Sequence, residues 1–215
     1  MSITNYVKIP ARYDSNVVLR VFSGHFATSQ SHITKYMDIT GMKTRCNEAK
    51  AAAKLLAQRY EASMPVDSIV CLDGTEVIGT YLAEELTKVG ILSYNAHKTL
   101  YVLQPEYGTS GQIIFRDNMT MAIKDKHILV LLGSVTTGNT LATALDCIQY
   151  YRGHVTGAAA IFSAVDHIHD VEVHSIFHPD EVEDFKSYKP VDCPMCQAGQ
   201  RIDAIVNSFG YSELN

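Results

Sequence analysis

The stretch that decides the fold runs from Ile128 to Thr140 and reads Ile-Leu-Val-Leu-Leu-Gly-Ser-Val-Thr-Thr-Gly-Asn-Thr. Its first five residues are apolar, a run too short for a helix and typical of a strand buried on both faces of a parallel sheet. Small, hydroxylated and glycine residues follow, and apolar residues then recur at helical spacing from Leu141 to Ile148. The stretch therefore predicts a strand, a short polar loop and the start of a helix.

A polar loop that leads into a helix can bind a phosphate group. The first backbone N–H groups of a helix have no partner within it, and the helix dipole favours an anion there. Thr136, Thr137 and Thr140 add hydroxyl donors, and Gly138 lets the backbone approach an oxyanion closely. The alternative is a simple turn capped by threonine. The sequence has neither the Gly-Lys-Ser/Thr of a nucleotide P-loop nor a GxGxxG dinucleotide fingerprint.

The same stretch resembles the signature of the type I phosphoribosyltransferases, in which a buried strand leads into two acidic residues and a Thr-Thr-Gly-x-Thr/Ser loop. Thr136, Thr137, Gly138 and Thr140 match the loop, whereas Leu132 and Gly133 stand in place of the acidic pair. The resemblance implies that the loop holds the 5-phosphate of phosphoribosyl diphosphate (PRPP). The predicted phosphate-binding residues are Ser134, Val135, Thr136, Thr137, Gly138, Asn139 and Thr140.

A second strand and loop lie at residues 66–76, where a buried strand runs into Asp73-Gly74-Thr75-Glu76. In type I phosphoribosyltransferases this position is the diphosphate loop, and the residues in that place are Leu72, Asp73, Gly74 and Thr75. Asp73 and Glu76 are the candidate catalytic residues. The resemblance implies a magnesium ion, which would offset the repulsion between these two carboxylates and a diphosphate. The alternative is that Asp73 is a helix N-cap and Glu76 its capping-box partner.

The segment 27–39 resembles the N-terminal hood of the orotate phosphoribosyltransferases. Tyr36 and Asp38 match that family's Tyr-Tyr-x-Asp strand, and Ser31 and His32 occupy the place of its basic pair. The resemblance therefore assigns base binding to His32. The alternative is a histidine in a solvent-facing loop.

Residues 104–112 correspond to a mobile loop that carries cations in the orotate phosphoribosyltransferases. In this chain the run from Tyr107 to Gly111 predicts a flexible flap, but no lysine or arginine occurs between Lys98 and Arg116. Stabilising the charge on a departing diphosphate is largely an electrostatic task. The sequence therefore offers no cation for it in this loop.

The C-terminal Cys193-Pro194-Met195-Cys196 resembles a Cys-Pro-x-Cys found near the C-terminus of many orotate phosphoribosyltransferases. One such pair is half of a zinc site, which a second copy across a dimer axis could complete. We interpret it as a turn, and the sequence predicts no set of metal ligands.

Composition limits the classes of partner. The 215 residues carry a net charge of −5, which gives no electrostatic case for nucleic acid or an anionic membrane. No apolar stretch reaches the length of a membrane span, and five scattered cysteines are typical of a reduced cytoplasmic protein. The length fits a single domain over residues 1–215, with a hood from about 1–40 and 180–215. The resemblance implies a homodimer.

These patterns predict an α/β fold, a type I phosphoribosyltransferase-like parallel sheet of about five strands flanked by helices on both faces. The first functional hypothesis is an orotate phosphoribosyltransferase-like enzyme that transfers phosphoribosyl from PRPP to orotate or a similar nucleobase, with release of diphosphate. The second is a non-catalytic protein of the same fold that binds PRPP or a 5-phosphorylated nucleotide and regulates a partner. The third is a hydrolase that uses Asp73 or Glu76 as a base.

Overall fold

The computed structural model describes residues 5–60, 64–88, 95–96, 99–109 and 112–214. Five α-helices lie in this part of the chain: α1 (Thr40–Thr44), α2 (Cys46–Ala57), α3 (Glu76–Lys88), α4 (Asn139–Tyr150) and α5 (Pro194–Gln197). The strands of the described part are β1 (Tyr6–Ala11), β2 (Asp14–Ala27), β3 (His32–Asp38), β4 (Ser68–Cys71), β5 (Tyr101–Leu103), β6 (Glu106–Tyr107), β7 (Ile113–Ile114), β8 (His127–Val135), β9 (His154–Ser163), β10 (His167–Ile168), β11 (Val171–Phe177), β12 (Ser187–Tyr188), β13 (Ala204–Asn207) and β14 (Gly210–Glu213).

The central sheet has the strand order β10-β11-β9-β8-β4-β5. The neighbours from β11 to β5 are parallel, and β10 joins the edge as an antiparallel strand. The parallel sheet of five strands predicted from the sequence is therefore confirmed. Counted along the chain, its strands are arranged 2-1-3-4-5, an order whose direction of progression reverses between β4 and β8.

Both faces of the central sheet are covered by apolar residues. Leu129 and Leu131 of β8 pack in one cluster with α2 and α3, whereas Ile128, Val130 and Leu132 pack with α4 in the other. Successive side chains of a strand point to opposite faces, so an unbroken apolar run is what a strand between two helical layers requires. Burying each of these leucines contributes about 1.5–3 kcal/mol. Helices on both faces, as predicted, follow from this pattern.

A second sheet is built from the two ends of the described chain. Its order is β12-β3-β2-β13-β14, and β1 pairs with β2. Strand β13 runs parallel to β2, and β12 runs antiparallel to β3. Its strands lie between residues 6 and 38 and between residues 187 and 213, and we refer to this sheet as the hood.

None of the described helices is long and apolar enough to span a lipid bilayer.

Candidate functional site

Two loops meet where the strand order of the central sheet reverses. Strands β4 and β8 are parallel neighbours, so the loop at residues 72–75 and the turn at residues 136–138 leave the same edge of the sheet side by side. Ligands of open α/β sheets bind at this point, outside the carboxyl ends of the strands. The fold thus brings together the two segments that the sequence singled out.

The loop predicted to bind phosphate is shorter than the sequence indicated. Strand β8 continues through Val135, because Ser134 and Val135 remain paired with Phe162 and Ser163 of β9. The sequence prediction that the loop begins at Gly133 is therefore wrong, and Ser134 and Val135 are strand residues. The turn itself spans residues 136–138.

Helix α4 starts directly after the turn. Gly138 is its N-cap, with a φ of 81°, and no side chain among the described residues caps the helix. The first backbone N–H groups of α4 are therefore free of a side-chain partner, as an anion site at a helix start requires. A Cβ on Gly138 would overlap Cδ1 of Ile168 and lie 2.9 Å from its Cγ1, so the position requires glycine for its space as well as its φ.

A cleft of roughly 230 Å³ opens above the turn. All seven predicted phosphate-binding residues, 134–140, line it, together with Asp73. The opposite wall belongs to the hood and to the start of α1: Thr28, Ser29, Gln30, Ile33, Tyr36, Met37, Ile39, Thr40, Val206, Asn207 and Ser208. The threonine-rich turn therefore faces a pocket that the hood covers.

Asp73 and Gly74 form the bend after β4, with φ values of 60° and 74°. Burial raises the pKa of the Asp73 carboxyl group, and the nearby Lys43, a backbone hydrogen bond from Gly133 and the Ser208 side chain counteract the increase. The buried Thr75 hydroxyl donates to the carbonyl oxygen of Leu72 at 2.7 Å. Leu72 and Thr75 thus hold the loop, and among these four residues only Asp73 lines the cleft.

The capping interpretation of this loop is not supported. Helix α3 begins at Glu76, so its N-cap position is residue 75 and not Asp73. Glu76 lies in the first turn, where a negative charge is favourable. Its Oε1 atom is buried and, within the described chain, has no hydrogen-bond partner. An unpaired buried carboxylate oxygen is costly, so this atom is suited to a cation.

Leu132 and Gly133, which stand in place of the acidic pair, lie within β8 in closely packed surroundings. A Cβ on Gly133 would lie 2.6 Å from Cδ1 of Ile39 and 3.6 Å from Cβ of Asp73, so no side chain fits there without displacing Ile39. Leu132 is 1% exposed and belongs to the apolar cluster under α4. The Asp73 side chain, from the neighbouring loop, lies beside Gly133 and so brings a carboxylate close to this part of β8.

A cation that the sequence did not identify stands beside this carboxylate. The Nζ atom of Lys43, on α1, donates to the carbonyl oxygen of Asp73 at 2.7 Å and also to that of Ser208. Burial lowers the pKa of Lys43, and the carboxylates of Asp73, Glu76 and Asp38 counteract the decrease. Lys43 and Asp73 are 30 positions apart, and no local pattern marks the lysine.

The predicted flap is a short hairpin of β6 and β7, of which Ser110 and Gly111 lie outside the described residues. Arg116 pairs with Glu106 through two hydrogen bonds of 2.7 Å at its base. Burial, followed by the charges of Asp73 and Glu76, raises the pKa of Tyr107 to about 12. The charges of Asp73 and Glu76 therefore act on the Tyr107 hydroxyl, and the hydroxyl is protonated at neutral pH.

His32, predicted to contact a base, faces a different part of the hood. It is 8% exposed, and its Nδ1 lies 3.1 Å from Nε2 of His25 and 3.2 Å from Sγ of Cys196. It does not line the cleft. The alternative of a solvent-facing loop histidine is wrong, because His32 is buried and begins β3.

Similarity to known proteins agrees with this geometry. The chain is 26% identical over 180 residues to an orotate phosphoribosyltransferase of Carboxydothermus hydrogenoformans, a match that covers 83% of this chain and 87% of that protein. No protein-family model matches the chain.

Two solved structures show the same fold. The Leishmania donovani UMP synthase superimposes with a TM-score of 0.56 at 13% identity over 75% of this chain, which spans 34% of that protein. The orotate phosphoribosyltransferase of Mycobacterium tuberculosis H37Rv in complex with PRPP gives a TM-score of 0.51 at 14% identity, covering 68% of this chain and 82% of that one.

The fold is therefore that of a type I phosphoribosyltransferase-like protein, as the sequence predicted. Within that class, the chain is similar to the orotate phosphoribosyltransferases, and the resemblance inferred from its motifs is confirmed.

Proposed function

We propose that this chain transfers a phosphoribosyl group from PRPP to orotate or a similar nucleobase and releases diphosphate. The observation that carries the proposal is the threonine-rich turn at residues 136–138 with the start of α4, which faces a hooded cleft with the Asp73 carboxylate beside it. The similarity to an orotate phosphoribosyltransferase favours a catalytic role over a regulatory one. PRPP is the ligand of one structural relative and fits a site that pairs a phosphate turn with an acidic loop.

Different residues of the cleft would bind the phosphate and the ribose of PRPP. The amides at the start of α4 and the hydroxyls of Thr136, Thr137 and Thr140 would hold the 5-phosphate. The Asp73 carboxylate would accept hydrogen bonds from the ribose hydroxyls, in place of the acidic pair that Leu132 and Gly133 replace. Positive charge develops on the ribose as the diphosphate leaves, and the same carboxylate would stabilise it.

Lys43 does not line the cleft, but its Nζ is bound to the backbone of the Asp73 loop, and from there its charge would offset the negative charge on the departing diphosphate. The Tyr107 hydroxyl, on the flap, is protonated at neutral pH, as tyrosine ordinarily is, and would act as a hydrogen-bond donor. These two groups would replace the cations that residues 104–112 lack. The flap would exclude water from the reacting ribose when it closes.

The residues at the diphosphate loop suit magnesium. Glu76 contributes a buried carboxylate oxygen that has no partner in the described chain, and Asp73 contributes a second hard oxygen ligand. Asp73 and Glu76 would hold the ion, and its charge would help to neutralise the diphosphate. The positive charge of Lys43 would add to this neutralisation, because its Nζ lies at the same loop.

The base would lie under the hood. The described residues that line the cleft include neither lysine nor arginine, and the hood wall offers the neutral polar groups of Thr28, Ser29, Gln30 and Asn207. An acidic base such as orotate would therefore be held by neutral donors. Tyr36 adds an aromatic surface for the ring.

A base panel tests this proposal. The full chain is incubated with PRPP, magnesium and one base at a time (orotate, uracil, adenine, hypoxanthine), and diphosphate release is followed against enzyme-free blanks. We expect release with orotate. If calorimetry detects PRPP binding while no base supports release, the regulatory hypothesis replaces the catalytic one.

Replacing Lys43 by methionine is expected to lower kcat by at most about 100-fold, the size of effect that follows removal of a donor in direct contact with the transition state. The change keeps the length of the side chain and removes its charge. Lys54→Met, on the exposed surface of α2, is the control and should keep wild-type turnover. Equal rates for Lys43→Met and the control would remove the lysine from the mechanism.

We also infer a cytoplasmic homodimer from the similarity to the orotate phosphoribosyltransferases. Sedimentation velocity of the purified chain tests the dimer, and fractionation of cells that express it tests the compartment. A single species with the mass of one chain at assay concentration would contradict the dimer.

A further inference from the structure

Four side chains that can ligate a metal meet in the hood, outside the cleft. His25 lies near the end of β2, His32 begins β3, Cys193 precedes α5 and Cys196 lies within it. One ligand atom from each residue lies within 4.8 Å of the others. His25 and Cys193 are fully buried, and Cys196 is exposed.

The separations match those of a tetrahedral metal site. The Nε2 atom of His25 lies 3.1 Å from Nδ1 of His32, 3.5 Å from Sγ of Cys193 and 3.6 Å from Sγ of Cys196. Sγ of Cys196 lies 3.2 Å from Nδ1 of His32. A tetrahedron with Zn–N of about 2.0–2.1 Å and Zn–S of about 2.3 Å has edges of roughly 3.3–3.8 Å. Each measured separation is close to such an edge.

The other side of the His25 ring fixes its tautomer. Its Nδ1 lies 3.1 Å from the carbonyl oxygen of Gln200 and 3.2 Å from that of Arg201. Carbonyl oxygens only accept, so Nδ1 carries the proton and Nε2 presents its lone pair to the cluster. A metal-binding histidine almost always donates its second N–H to a carbonyl or carboxylate in this way.

Hydrogen bonds alone account poorly for the cluster. Three potential donors, the His32 ring and the two thiols, converge on Nε2 of His25. A neutral imidazole nitrogen has one lone pair and accepts one good hydrogen bond, so two of the three contacts would be unused. A cation at the centre satisfies all four groups at once.

We propose that His25, His32, Cys193 and Cys196 bind one zinc ion. Two thiolates and two imidazoles are a ligand set that zinc favours, and four protein ligands leave no position for water or substrate. The site is therefore structural. All four ligands come from one chain, so this proposal differs from the sequence interpretation of Cys193 and Cys196 as a simple turn and needs no second copy.

The ion would connect distant parts of the chain next to the cleft. Cys196 and His32 are 164 positions apart, so the metal would fasten α5 to the β2–β3 turn. Thr28, Ser29 and Gln30 lie between the two histidines and line the cleft. Zinc would thus hold the cleft wall that faces the base, without touching the reacting atoms.

Metal analysis of the full chain tests the proposal. Mass spectrometry of the purified protein is expected to find one zinc per chain. Cobalt(II), exchanged for the zinc, should show the visible bands of a tetrahedral ion and a thiolate-to-cobalt charge-transfer band. Loss of a group that only hydrogen-bonds to a metal ligand weakens metal binding about 10–100-fold. Cys196→Ser removes a ligand itself and should therefore weaken zinc binding more than 100-fold. Cys46→Ser, at an exposed cysteine outside the cluster, is the matched control and should bind one zinc.

Chelation provides a second measurement. A chelator is expected to lower the Tm of the wild type and of Cys46→Ser, and to leave that of Cys196→Ser unchanged. Reduced wild type that takes up neither zinc nor cobalt overturns the proposal, as does a Cys196→Ser variant with wild-type zinc affinity. If Cys196→Ser does not fold, the zinc content and the cobalt spectrum of the wild type decide by themselves.

Discussion

Replacing Gly138 by alanine is expected to abolish detectable binding of ribose 5-phosphate and to destabilise the protein by more than about 3 kcal/mol. A left-handed backbone costs a non-glycine residue about 1–3 kcal/mol. The new Cβ would also overlap the side chain of Ile168, which buttresses the turn. Relief of that overlap must move the start of α4, whose amides would hold the phosphate. Calorimetry with ribose 5-phosphate and urea unfolding measure the two effects.

Two further variants separate strain from overlap. Gly199 has a φ of 73°, and a Cβ there meets no atom within 4 Å, so Gly199→Ala carries the backbone cost alone and should keep phosphate binding. Shortening Ile168 to alanine in the Gly138→Ala background should restore part of the affinity. Wild-type affinity in Gly138→Ala would mean that the phosphate binds elsewhere, and the assignment of residues 136–140 would fail.

Replacing Asp73 by asparagine is expected to reduce turnover about 10- to 150-fold, because one charge-assisted hydrogen bond contributes about 1.5–3 kcal/mol. Asparagine tolerates the positive φ of residue 73, so the bend should persist. Asp184→Asn is the matched control: its φ is 56°, and the residue is exposed, away from the cleft. Steady-state rates of diphosphate release compare the two variants with the wild type.

The same variant should be at least as stable as the wild type at neutral pH. Burial raises the pKa of the Asp73 carboxyl group above its ordinary 3.8. The stability that this group contributes is fully present below pH 3.8 and is lost as the pH rises through the folded-state pKa, because the buried group must then ionise. Asparagine never ionises, so its advantage should grow over that range.

Urea unfolding from pH 3 to pH 8 measures the difference between Asp73→Asn and the wild type. If the variant is less stable at neutral pH and the gap closes on acidification, the attraction of Lys43 dominates and the pKa of Asp73 is lowered. If turnover of Asp73→Asn equals that of the control, the ribose is held by other groups. Loss of activity without loss of stability would identify Asp73 as a residue kept for function at a cost to the fold.

The sequence by itself determined the central sheet and the phosphate turn. The apolar run Ile128–Leu132 has the length and the unbroken pattern of a strand between two helical layers, and both faces are indeed buried. Thr136, Thr137 and Gly138 are adjacent in the chain, so their meeting at the start of α4 is a local event. The strand end was missed because Gly133 and Ser134 are typical of loops, whereas pairing with β9 continues through Val135.

The rest of the site was decided by tertiary structure alone. Lys43 reaches Asp73 across 30 positions, and Cys196 reaches His32 across 164, through the packing of α1 and α5 against other elements. Side chains three or four positions apart in a helix, or two apart in a strand, share a face whatever the fold, so their pattern is legible in the sequence. Contacts between distant segments depend on how whole elements pack, and no single stretch of sequence encodes that arrangement.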